Sequence, residues 1–273
     1  RGQRRGAEPP VDRRVHGEVL GFGVSGFLRN SDLVMYDRTT ESMWQQLEGK
    51  AIVGSLTGTQ LTLVPSLLVS WADFKTTFPE GDVLSRSTGR VRQYGENPYA
   101  GYDRSRQPPL FRGTPDQRLP ATERVVAVER RDDVVAYPFS ALKESRVIND
   151  VVGDLPVVIL WKPGVASALD SAEIAKGRDV GAAGVFDRRV STLTSAPAGA
   201  LPSGADALTF TTTADGEFMD VESGSTWSIF GRAVDGPLAG AEMPLVTHGN
   251  HFWFAWASFR PETRVWGEAP ATG

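Results

Sequence analysis

The sequence contains no cysteine. Disulfides, zinc–thiolate sites and cysteine nucleophiles are therefore excluded for this chain, although its compartment is not fixed by that absence. Long apolar runs are missing as well. Stretches such as 157–161 (VVILW) fall far short of the roughly 20 residues that cross a bilayer. No transmembrane segment and no secretory leader are visible. Positive charge is not in excess either: the net charge is −4 and the pI about 5.5. A nucleic-acid partner would want a basic face, so no nucleic acid is expected. Arg4, Arg5, Arg13 and Arg14 cluster near the start and read as a solvated tail. There is no glycine-rich phosphate loop, no dinucleotide fingerprint, no serine nucleophile elbow and no HExxH.

What is present has globular composition, 40% hydrophobic and 23% charged. Residues 1–10 lack periodicity and read as a tail or fragment edge. Short apolar stretches at 18–24, 33–36, 51–53 and 61–64 are broken by Gly, Asn and Asp and read as strands with turns. Residues 71–78 (WADFKTTF) read as a short helix stopped by Pro79. Residues 81–122 form an irregular connection rich in Arg, Tyr and Pro, long enough to be either functional or a linker. Pattern returns at Glu123. Runs at 124–129 and 134–137 flank RRDD as a hairpin, a short helix follows over 140–145, and 157–161 reads as a buried strand. Further strands are expected at 207–212, 226–230 and 242–246. The aromatic run 252–259 (FWFAWASF) must be packed rather than exposed, and 267–273 is a tail.

An internal repeat organises these pieces. DRRV occurs at 12–15 and again at 187–190. Asp37 and Trp44 stand apart by the same interval as Asp220 and Trp227. GSLTG at 54–58 matches GPLAG at 236–240, and WADF at 71–74 matches WASF at 256–259. The expected fold is α+β and predominantly β, with two pseudo-equivalent β-rich halves, each ending in a short aromatic helix. The first copy spans 11–80 and the second 123–266. The stretch 123–161 has no counterpart before residue 11, and the chain opens on Arg1 rather than Met. The first copy is therefore expected to be incomplete at its N-terminus.

Five strings resemble the domain of unknown function 3179 family: FGVSGFLRNSDLVMYDR at 22–38, SRSTG…YGENPYAGY at 85–102, AYPFSAL at 136–142, VINDVVGDLPVV at 147–158 and HGNHFWFAW at 248–256. The resemblance runs over 11–265. It carries no established activity. It implies an extracytoplasmic location, because members often bear a signal or lipoprotein anchor. Many members carry a Cys-Pro-Leu-Cys-Gly motif, and some are flagged as selenoproteins there, which implies redox or soft-metal chemistry. Those cysteines would fall at Gly2 and Arg5, with the motif glycine at Gly6; Lys162 and Val165 stand at the second copy's equivalents. Neither copy can perform thiol chemistry here.

Three places could carry function. His248 and His251, in HGNHFW, would share one face if helical and could hold a divalent metal, but no acidic third ligand lies nearby in sequence. The plain alternative is a turn or helix start at Gly249, with Asn250 as cap, leading into a buried aromatic helix. The first copy has PSLLVSW at this stretch and no histidine. The second place is Arg29, Asn30 and Asp32, with Tyr36, Arg38 and Glu41. It is either a site or an ion-paired turn, since the other copy shortens this loop. The third is the connection with Arg86, Arg90, Arg92, Tyr94, Tyr99, Tyr102 and Asp103. Its arginines and tyrosines suit a small anionic or sugar-like ligand, or else pin the loop to the surface. Two functions stay open on the sequence: an envelope-associated binding or structural domain, and a metal-dependent or redox enzyme whose site lies around HGNH.

Overall fold

The structure is a computed structural model that describes residues 10–87, 89, 93–108 and 111–268. It is β-rich, with several sheets and few helices. A two-stranded ribbon, β1 (Arg14–Val15) and β2 (Glu18–Val19), leads into an antiparallel meander of β3 (Phe22–Arg29), β4 (Asp32–Asp37), β5 (Met43–Gln45) and β6 (Lys50–Val53). The short helix α1 (Trp71–Thr77) follows. The central part holds the hairpin β7 (Arg124–Arg130) and β8 (Asp133–Pro138), helix α2 (Phe139–Ser145), and an antiparallel sheet of β9 (Val147–Val152), β10 (Leu155–Lys162) and β11 (Ala182–Asp187). A second meander comprises β12 (Phe210–Thr212), β13 (Phe218–Asp220), β14 (Thr226–Trp227) and β15 (Ala233–Asp235). Finally β16 (Gly249–Phe252), helix α3 (Trp253–Ala257) and β17 (Arg264–Val265) return to the hairpin, giving a sheet in the order β16-β7-β8-β17.

β10 explains the layers. Alternate side chains of a strand point to opposite faces. Val158 and Leu160 join Phe186, Phe210, Trp227 and Leu238 in the core beneath the second meander. Val157, Ile159 and Trp161 join Val126, Tyr137, Leu142 and Val185 in the core beneath the hairpin and α2. Both faces are buried, so the strand reads as the unbroken apolar run VVILW rather than as an alternation.

The two meanders share their internal bonding. Trp44 Nε1 donates to Asp37 at 2.9 Å, and Trp227 Nε1 donates to Asp220 at 2.9 Å. Phe22 meets Trp44 edge-on at 5.6 Å, and Phe210 meets Trp227 edge-on at 5.5 Å. The Leu56 and Leu238 amides donate to the hydroxyls of Ser42 and Ser225. The Val64 amide donates to Pro10, as the Val246 amide donates to Val185. Burial raises the Asp37 carboxyl, but bonds from Trp44, Thr40 and Thr39 outweigh it and hold the group below its usual range.

Several elements differ from the sequence expectation. The stretch 18–24 is interrupted, giving β2 and the start of β3. Residues 61–64 and 242–246 form isolated bridges, Val11 with Leu63 and Phe186 with Leu245, instead of strands. The expected strands at 207–212 and 226–230 shrink to β12 and β14. The two helices start the same number of residues after Val64 and Val246, at Trp71 and Trp253. They also differ in environment. All five residues of α3 are buried, whereas α1 buries none and leaves Trp71 59% exposed. α3 packs on β7 and β8 through Val125, Ala127, Val134 and Ala136. Among the described residues no helix is long and apolar enough to cross a membrane.

Candidate functional site

β16 pairs antiparallel with β7, placing Gly249 opposite Ala127, Asn250 opposite Val126, His251 opposite Val125 and Phe252 opposite Arg124. The segment is extended, so Asn250 caps no helix; Phe252 occupies the cap position of α3. Period two also decides the two histidines. A spacing of three in extended chain sends side chains to opposite faces, while a spacing of two keeps them together. His248 and Asn250 accordingly share a small cavity, and His251 does not line it. The His251 ring stacks on Trp256 at 4.9 Å and lies back over Gly249, where an added Cβ would collide with its Nε2. Of the HxxH pair, only His248 lines the cavity. Among the described residues no group of three His, Asp or Glu is placed to hold a metal ion.

The cavity measures about 50 Å³ and is lined by Ser66, Leu67, Leu68, His248 and Asn250. Two segments, 66–68 and 248–250, contribute to it, with Leu67 and Leu68 as its apolar side chains. Leu67 comes close because its neighbour in β11 is Gly184; a Cβ there would strike Leu67 Cδ2 at 2.7 Å. His248 Nδ1 lies 2.7 Å from the Val246 carbonyl oxygen. A carbonyl only accepts, so Nδ1 carries the proton and Nε2 keeps a lone pair. That Nε2 and Asn250 Oδ1 are both buried without a hydrogen-bond partner. Burial lowers the His248 pKa, against the opposing effect of the Val246 bond. Burial, with His248 nearby, pushes His251 down to about 4. Both rings are neutral at pH 7.

The other expected site residues serve different ends. Asn30 and Ser31 both have positive φ, forming the tight turn between β3 and β4. Asn30 Nδ2 donates to the Ser258 carbonyl at 3.0 Å. Arg29 pairs with Glu48 at 3.3 Å and lies over the Phe259 ring, while Arg260 bridges Glu48 and Glu129. Asp32 is buried and accepts from the Leu47 amide at 3.0 Å and from Gln45. These groups dock the first meander onto the end of α3. In the connection, Arg90 and Arg92 lie outside the described residues. Arg86 is exposed and Tyr94 is 41% exposed. Tyr99 and Tyr102 pack with Leu169, Phe252 and Phe254.

A polar network below this connection is centred on Asp103, one of the residues expected there, but its partners Arg124, Ser167 and Arg178 carried no sequence signal. The Asp103 carboxylate is fully buried and faces Arg124 at 3.4 Å, Arg178 at 3.3 Å and the Ser167 hydroxyl at 2.5 Å. Burial lowers the Arg124 pKa and Asp103 opposes that, while its guanidinium stacks over Phe252 at 4.9 Å. Asp170 binds Arg104 and Arg178. Asp103 stands 21 residues from Arg124 and 75 from Arg178, so no local spacing could have signalled the network.

No curated protein and no solved structure matches the chain. The model of one family, described as a protein of unknown function (DUF3179), matches residues 7–263, nearly the whole length, and the chain belongs to that family.

Proposed function

We propose that this chain is a binding domain of the cell envelope, built from two copies of one β-rich unit, whose ligand contact is the cavity between residues 66–68 and 248–250. The carrying observation is that cavity, lined by His248 and Asn250 together with Ser66, Leu67 and Leu68, beside which His248 Nε2 is buried without a partner. Such groups normally have partners, and leaving one unmade costs about 1–3 kcal/mol. The bond-for-bond match of the two meanders supports the duplicated architecture, and the resemblance to extracytoplasmic relatives supports the location. In this reading the Arg29 turn, Tyr99 and Tyr102 are architectural.

The test is a panel of small polar fragments observed through the ring signals of His248 by NMR. Saturable binders are expected in the native chain and none in Leu68→Trp, which fills the cavity from an exposed position. A panel in which no fragment perturbs His248 overturns the reading. The enzyme alternative rests on the Nδ1–H to carbonyl bond, an arrangement common in metal-bound histidines. It requires stoichiometric metal in the purified protein, lost in His248→Ala.

A further inference from the structure

Helix α1 and the turn after it carry the aromatic surface that the fold leaves open. Residues three and four apart share a helix face, so Trp71, Phe74, Lys75 and Phe78 lie on one side. The rings touch in order: Trp71 stacks on Phe74 at 5.7 Å, Phe74 meets Phe78 at 5.7 Å, and Phe78 meets Phe230 of the second meander edge-on at 5.3 Å. The row is thus anchored at one end, yet Trp71 is 59% exposed and Phe78 41%. The chain then turns back over the helix. The Gly81 amide donates to the Phe78 carbonyl at 2.9 Å, and a Cβ added at Gly81 would stand 2.8 Å from Phe74 Cζ. Val83 and Leu84 follow directly, 61% and 92% exposed. At about 150–250 Å² for a fully exposed large side chain, these four residues leave roughly 500 Å² of apolar surface on one short segment. A patch of that size marks an interaction surface. The other aromatic helix, α3, is by contrast wholly buried.

The charges around the patch select its occupant. Asp73 is engaged by Lys162 at 2.6 Å. The remaining charges of the segment are exposed: Lys75 on the aromatic face, and Glu80 and Asp82 on the turn. This acidic excess disfavours an anionic lipid surface, which attracts basic segments. A helix offers no strand edge for an extended peptide to join. A second copy brings an equal apolar face and a lysine for the acidic turn. In a twofold contact each interaction occurs twice, so Lys75 of each copy meets the Glu80–Asp82 turn of the other. Two such faces cover about 1,000 Å² in total, the lower bound of a specific interface and the range of a weak, reversible dimer.

We propose that α1 and the turn after it form a twofold contact between two copies of this chain, with Trp71, Phe78, Val83 and Leu84 at its centre and Lys75 against Glu80 and Asp82 at its rim. The contact uses none of the residues that line the His248 cavity and stands independently of the binding reading.

The experiment is sedimentation velocity of the full chain from about 1 to 200 µM. The mass is expected to rise with concentration from 29.5 kDa toward twice that value, with a dissociation constant in the micromolar range. Leu84→Asp changes a side chain that is 92% exposed, so it should weaken the dimer at least tenfold and leave the urea unfolding midpoint unchanged. Trp71→Ala should weaken it by a similar factor. Lys75→Glu should also weaken it, and combining that change with Glu80→Lys and Asp82→Lys should restore it, because the charges then match again across the twofold. A mass of 29.5 kDa at every concentration overturns the proposal. A dimer that Leu84→Asp leaves intact overturns it too, since the contact then lies on another face. Monomer that co-sediments with phosphatidylcholine vesicles, and ceases to do so in Leu84→Asp, overturns it in favour of a lipid surface.

Discussion

Acidification should destabilise this fold earlier than carboxylate chemistry alone would, through His251. Its ring is 6% exposed, stacked on Trp256, and its pKa falls from 6.5 to about 4 on folding. The folded state therefore binds fewer protons than the unfolded chain between these values. Its contribution is intact above 6.5 and is lost as pH falls toward 4. At about 1.36 kcal/mol for each tenfold change in proton affinity, the full effect is about 3 kcal/mol, of which about 2 kcal/mol is already lost near pH 5. At that pH most carboxylates, with ordinary values near 3.8, are still ionised. His248 is lowered in the same direction and adds to the loss. The assay is urea unfolding at neutral pH and near pH 5 for the native chain and for His251→Phe, which keeps a flat ring on Trp256. The variant should lose about 2 kcal/mol less between the two conditions. Identical losses in both proteins would refute the claim that His251 is buried neutral.

Three further outcomes follow from the packing. Trp44→Phe and Trp227→Phe each remove a donor from a buried aspartate, and each should cost about 1–3 kcal/mol in urea unfolding, with similar values for both. Asp103→Ala leaves Arg124 buried without its countercharge and should cost about 3–5 kcal/mol, with faster proteolysis in residues 81–122; Asp103→Asn should cost less. Gly184→Val drives a side chain into Leu67 and should destabilise by about 1–3 kcal/mol while abolishing fragment binding in the cavity, measured by thermal melt and NMR.

The legible parts of the sequence are those where a local pattern and a buried surface agree. VVILW reads as a buried strand because β10 is covered on both faces, and FWFAW reads as packed because five consecutive buried positions leave no solvent face. Asp37–Trp44 and Asp220–Trp227 stand out because one short-range bond within a meander fixes their spacing. Period is what misleads. Two histidines three apart suggest a common face only on a helix, and β16 is extended because its backbone completes the β7 edge, a partner more than a hundred residues away. Residues 61–64 and 242–246 carry strand composition but make only isolated bridges. Asn250 has the chemistry of a cap but sits within a strand, and Ser66–Leu68 carry no polar signature that marks a site. The Asp103 network joins three distant segments, so only the fold brings its charges together.

His248 and Asn250 line a small cavity with Ser66, Leu67 and Leu68, and a high-resolution crystal structure of the chain soaked with the polar fragments tests the binding-site reading most directly. A fragment is expected in the cavity, in contact with the His248 ring, Asn250 and Leu67. A structure in which no fragment occupies the cavity, with Leu67 and Leu68 closing it against His248, would contradict it.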